Sequence, residues 1–139
     1  MLFVGAYERQ LDDKGRLALP SRFRGDLGEH CYLAKGDNKC VSVVPAAVFE
    51  AEAEAIRSRV VAGELPMSHL RALAGSAQVV SIDKQGRINV DEQLLQYAEL
   101  RTESPATVAG AFDRLEIWTP ERFAQVQLTG TDDVAGQHE

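Results

Sequence analysis

"LDDKGRLALPSRFR", residues 11–24, and "IDKQGRINVDEQLL", residues 82–95, are one phrase written twice. Superposing Asp12 on Asp83 sets Gly15 on Gly86, Arg16 on Arg87, Leu17 on Ile88 and Leu19 on Val90. Farther along, "AKGDNKCVSVVP" meets "AGAFDRLEIWTP" without a gap, with Pro45 on Pro120. The offset grows from 71 to 75 between these anchors, so four residues are inserted near the second short helix. Each copy has about 43 residues, a size that rarely stabilises itself alone. The duplication therefore predicts two copies sharing one core about a pseudo-two-fold axis.

The local patterns fill in each copy. Residues 3–11 are rich in β-formers, "DDKG" reads as a turn, and "RLAL" as a short strand. Pro20 fits the first turn of a short helix that Gly28 can end. A hairpin follows, turned at Gly36, Asp37 and Asn38, which places Cys31 opposite Ser42 or Val43 and offset from Cys40. Pro45 opens a longer helix with Phe49, Ala53, Ile56 and Val60 on one face, and a second helix runs through "MSHLRALAGSA". The second copy repeats the order: strand "QVVSI", turn "DKQG", strand "RINV", a helix with Asp91 at its N-cap, the hairpin "ATVAG" and "LEIWT", and a helix from Pro120. The organisation expected is a first repeat over residues 6–48, a helical connector over 49–76, a second repeat over 77–121, and a disordered tail over 128–139, where apolar content is low.

Composition narrows the function classes. The 139 residues are 45% hydrophobic and 26% charged, ordinary for a globular protein. The longest stretch free of Asp, Glu, Lys and Arg, Ala72 to Ile82, is far short of the ~20 apolar residues of a membrane span. "MLFVGAYER" has no basic leader, so a cytoplasmic location is expected. Neither cysteine belongs to a CxxC, the three histidines are scattered, and no metal, cofactor or small-molecule substrate is expected. No nucleophile, base or metal set stands at reactive spacing, so no catalytic residue is assigned and binding is the better class.

Charge distribution points to the partner. The net charge of −6 is confined to residues 78–139, because residues 1–77 hold ten basic and ten acidic side chains. Within that half "KGRLALPSRFR", Lys14 to Arg24, carries four positive charges and no negative one. At ~0.1 M salt, charges more than about 10 Å away are screened, so such a stripe attracts phosphate even on an acidic molecule. In each copy an aspartate, Asp12 or Asp83, precedes an arginine by four residues, and a glycine, Gly15 or Gly86, supplies the positive φ of a tight turn. The aspartates are expected to position the turn and the arginines to project from it, flanked by Lys14 and Lys84. A lone turn of this kind reads as scaffold; two of them on one pseudo-two-fold surface suit duplex DNA.

"MLFVGAYERQLDDKGRLALPSRFR", "DKQGRINVDEQLLQYAEL" and "IWTPERF" together resemble the MraZ family of bacterial transcriptional regulators over residues 1 to about 127. The resemblance implies an α+β, mainly β, fold: a duplicated swapped-hairpin AbrB-like β-barrel built of two SpoVT/AbrB-type repeats with connecting helices. It further implies a ring-shaped homo-oligomer associated with the nucleoid. Such proteins bind repeats upstream of their own gene, at the head of the division and cell-wall gene cluster, and usually repress it. Carried over by motif, Arg16 and Arg87 are the first candidates for contact with double-stranded DNA, Lys14 and Lys84 occupy neighbouring turn positions, and Arg22 and Arg24 extend the basic surface. The second copy has "INVDEQLLQ" where the first has "LALPSRFR", which predicts a weaker contact. The rival reading is an antitoxin-type protein-interaction module of the same fold; the tail is short for that role.

Overall fold

The computed structural model describes residues 2–136. Copy one runs β1 (Ala6–Gln10), β2 (Arg16–Ala18), α1 (Ser21–Leu27), β3 (His30–Lys35), β4 (Val41–Pro45) and α2 (Ala46–Val61). The connector helix is α3 (Met67–Ser76). Copy two repeats the order as β5 (Gln78–Ser81), β6 (Arg87–Asn89), α4 (Glu92–Tyr97), β7 (Pro105–Gly110), β8 (Leu115–Trp118) and α5 (Pro120–Val134).

Six strands form an antiparallel sheet in the order β1-β7-β8-β4-β3-β5, and β2 pairs with β6 in a separate ribbon. The order is a palindrome in the two copies. The first strand of each copy hydrogen-bonds to the hairpin of the other: β1 to β7 with Ala6 opposite Ala109, and β5 to β3 with Leu33 opposite Gln78. At the centre Val41 faces Ile117 and Ser42 faces Glu116, and in the ribbon Leu17 faces its own counterpart Ile88. These registers place a pseudo-two-fold axis between β4 and β8 and through the Leu17–Ile88 pair. The α+β class and the exchanged hairpins are thus as the family resemblance implies, and the shared pseudo-two-fold is as the duplication predicts. Among the described residues the pairings close no ring of strands, β1 and β5 being the edges of the large sheet, and more of those residues lie in helix than in strand.

Strand alternation places the core. Leu33, Val41, Val43, Val108, Leu115 and Ile117 point from the sheet toward Leu17, Leu19, Ile88 and Val90 of the ribbon region, all at most 2% exposed. Phe23 and Leu27 of α1 and Leu94 and Leu95 of α4 close the sides. The other face of the sheet carries a small cluster of Cys40, Ala109 and Trp118 covered by Phe123 and Val126 of α5. Neither α2 nor α5 contains a fully buried residue.

Two sequence expectations change. Cys31 lies opposite Pro45, two or three residues beyond the expected partners, because Gly36 N–H reaches the Cys40 carbonyl at 2.8 Å and Asn38 and Lys39 take positive φ, lengthening the turn. Both cysteines are free and buried. The expected disordered tail over 128–139 is helical to Val134: Thr119 caps the Arg122 N–H at 3.2 Å, Pro120 starts the helix, and no proline follows to stop it. Residues 137–139 of that tail lie outside the described residues. The four-residue insertion falls between α4 and β7, where Glu99 and Glu103 take positive φ.

Candidate nucleic-acid interface

Each repeated phrase folds into the same turn. Asp12 N–H donates to the Arg16 carbonyl at 3.0 Å and Gly15 N–H to the Asp12 carbonyl at 3.2 Å. The Asp12 carboxylate then accepts from the backbone N–H groups of Lys14 and Arg16, both at 2.9 Å, and from Arg16 Nε at 2.6 Å. Asp83 accepts the equivalent set from Gln85, Arg87 and Arg87 Nε at 2.9, 2.8 and 3.0 Å. Burial pushes the Asp12 carboxyl up, but the backbone N–H groups of Arg16 and Lys14 and the Arg16 guanidinium outweigh it and hold the pKa at about 2. The Arg87 backbone N–H does most to lower Asp83, against some desolvation.

The two turns meet at the axis. Asp12 Oδ2 lies 3.9 Å from Arg87 Nη1, so one carboxylate faces both arginines. Leu19 N–H donates to the Gly86 carbonyl and Val90 N–H to the Gly15 carbonyl, each at 2.9 Å. Both glycines have φ +78°. Each is roofed by the short helix of the other copy: a β-carbon on Gly15 would stand 3.3 Å from Leu95, and one on Gly86 would stand 2.0 Å from the Arg24 guanidinium carbon. Arg24 is the counterpart of Leu95 under the 71-residue offset.

These contacts sort the candidate side chains. With Leu17 and Ile88 turned inward, alternation turns Arg16, Ala18, Arg87 and Asn89 outward on one face of the ribbon, Arg16 opposite Asn89 and Ala18 opposite Arg87. Arg16 and Arg87 spend Nε on their own aspartates, so each guanidinium is oriented while its Nη groups make no hydrogen bond among the described residues. Lys14 and Lys84 are exposed at the turn tips but not at equivalent places: Lys14 matches Gln85, and Lys84 matches Asp13. Arg22 is exposed and donates to the hydroxyl of Tyr7, in β1, at 2.9 Å. Arg24 is half-buried and donates Nε and Nη2 to the Leu19 carbonyl at 3.0 and 2.8 Å, which makes it a brace of the turn as well as a cation. Asn89 escaped the motif reading because its role depends on pairing between copies. Alternation of "RINV" against "RLAL" was the signal that could have found it.

The result is a two-stranded antiparallel ribbon with a pair of oriented guanidinium groups about a two-fold axis. A ribbon of that width fits the major groove of B-form DNA. Among the described residues no group of three His, Cys, Asp or Glu could hold a metal ion, and no helix is long and apolar enough to cross a membrane.

Fold and site together define a duplicated, swapped-hairpin protein with one cationic ribbon at its pseudo-two-fold axis. The sequence profile of the family described as "MraZ protein, putative antitoxin-like" matches residues 2–60 and 73–132. Similar proteins named "Transcriptional regulator MraZ" occur in Roseiflexus castenholzii, 38% identical over 90% of this chain and 86% of that one, and in Clostridium acetobutylicum, 31% identical over 94% and 91%. Another, from Salinispora arenicola, is 34% identical over 96% of this chain and 93% of its own length. The chain belongs to the MraZ family.

Proposed function

We propose that this protein is a sequence-specific DNA-binding transcriptional regulator that lays the β2–β6 ribbon into the major groove. The observation that carries the reading is the pair of aspartate-oriented arginines on one outward face of the ribbon, Arg16 and Arg87. Their Nη groups suit guanine O6 and N7. Lys14 and Lys84 reach phosphates and set register and salt dependence, with Arg22 alongside. Arg24 acts chiefly by holding the turn. Repeats 6–48 and 77–121 form one reading head, joined through 49–76. Several copies in a ring-shaped homo-oligomer engage tandem repeats upstream of the protein's own gene, at the head of the division and cell-wall gene cluster, and repress it by covering the promoter. Multivalency of this kind raises affinity by roughly 10² to 10⁴ over one unit. The location is the cytoplasm, at the nucleoid. The names of the relatives support a regulatory role.

The test is binding to the DNA upstream of the gene and to random duplex at several salt concentrations. Wild type should prefer the upstream fragment with a steep salt slope. Arg16→Ala or Arg87→Ala should each lose about 1 to 3 kcal/mol of that preference. Lys14→Ala should weaken both fragments alike and flatten the slope. Equal binding of the two fragments by wild type, or unchanged preference in both folded arginine variants, overturns the reading.

A further inference from the structure

The outward face of the ribbon holds four side chains, and only two obey the pseudo-two-fold. Arg16 and Arg87 exchange across the axis, but the counterpart of Asn89 is Ala18. One side of the axis therefore presents Arg16 directly opposite an asparagine, and the other presents Arg87 opposite a methyl group. Asn89 is exposed and oriented. Its Nδ2 donates to the Lys14 carbonyl at 2.8 Å, and a carbonyl can only accept, so the amide nitrogen faces the turn. The backbone behind it is held by Gln78, whose Nε2 donates to the Asn89 carbonyl at 3.0 Å and whose Oε1 accepts from Asp91 N–H at 3.1 Å. The second Nδ2 proton and Oδ1 make no hydrogen bond among the described residues. A donor and an acceptor side by side are the pair that meets adenine N6 and N7, whereas alanine offers only contact with a thymine methyl.

We propose that Asn89 is a specificity-determining residue that makes the ribbon read DNA in one orientation, its amide taking an adenine beside the guanine met by Arg16. The proposal rests on the reading of the ribbon as the DNA-facing surface. An exact two-fold would make the two half-sites equivalent and the preferred site an inverted repeat. Asn89 against Ala18 removes that equivalence, so one chain prefers a non-palindromic site.

Selection of bound duplexes from a randomised library, with wild type, Asn89→Ala and Ala18→Asn, tests this, each variant first shown to keep the wild-type circular dichroism and thermal midpoint. Wild type should enrich a non-palindromic site. Asn89→Ala should lose about tenfold or more of its preference at one base position and leave the other positions unchanged. Ala18→Asn, which restores the two-fold on the ribbon, should shift enrichment toward an inverted repeat. A palindromic wild-type site overturns the proposal and leaves the DNA-reading ribbon standing. So does an Asn89→Ala variant weakened equally on every sequence, the mark of a brace for Lys14 alone. Failure of wild type to enrich any sequence overturns both.

Discussion

The turn at Asp12–Arg16 and the turn at Asp83–Arg87 are closed by the same five hydrogen bonds, yet Leu95 covers one and Arg24 the other. The leucine fills space. The arginine lays its guanidinium over Gly86 and ties it to the Leu19 carbonyl. Equal backbones thus accept unequal side chains wherever the contact is a lid, and depart from equality on the solvent face, where Ala18 and Asn89 differ. The duplication preserved what closes the turns and the core, and left the roof and the outward face free to diverge.

The largest effect should come from the axis itself. Leu17→Ala and Ile88→Ala each remove a side chain at most 1% exposed and should each cost about 2 to 5 kcal/mol in urea unfolding. Their costs should agree within about 1 kcal/mol, inside the scatter of such substitutions; a wider gap would show that the core, unlike the turns, is not shared evenly.

The glycines separate the copies more sharply. Both Gly15→Ala and Gly86→Ala place a β-carbon at φ +78°, a left-handed conformation that costs about 1 to 2 kcal/mol. At Gly15 the new carbon also falls 2.9 Å from the Val90 carbonyl oxygen, which is backbone and cannot swing away. At Gly86 it meets the Arg24 guanidinium, which can. Adding Arg24→Ala to Gly86→Ala should therefore cost less than the sum of the two single changes, whereas adding Leu95→Ala to Gly15→Ala should show no such relief.

The smallest difference lies in the response to acid. Asp12 has its pKa held at about 2, below the ~3.9 of an unfolded aspartate. Its contribution to stability is therefore present above pH 4 and lost as the pH falls through about 2. Urea midpoints measured from pH 6 to pH 2 should show Asp12→Asn less stable than wild type at pH 6 and converging with it toward pH 2. Asp83→Asn should behave alike with a smaller gap, since Asp12 also faces Arg87.

Much of this was legible in the chain. The repeated phrase, the glycine-pinned turns, the helix starts at Pro20, Pro45 and Pro120, and the four-residue insertion all depend on local chemistry that the sequence displays. Local reading failed where a contact spans the copies. Arg24 lies on a basic stripe in sequence and over the turn of the other repeat in space. Asn89 gains its meaning only opposite Arg16, seventy-three positions away. The Cys31 register slipped because Asn38 and Lys39 both adopt positive φ, which a lysine rarely advertises. The end of α5 was missed because "LTGTDDVAGQHE", residues 128–139, has few apolar residues and two glycines, so no apolar stripe marks a helix there.

The exchanged hairpins also govern the order in which the protein can come into being. Phe3 pairs with Phe112 and Ala6 with Ala109, so β1 leaves the ribosome long before the strand it pairs with. Until then β1 lacks its partner β7, and β3 lacks β5 until the chain has passed α3. A contact between such distant positions slows folding through the entropy of the loop it must close, and an unpaired edge in the interval invites other strands. A nascent chain that has made β1 but not β7 therefore carries an unpaired strand edge, and identical chains crowded on one messenger offer it the wrong partner.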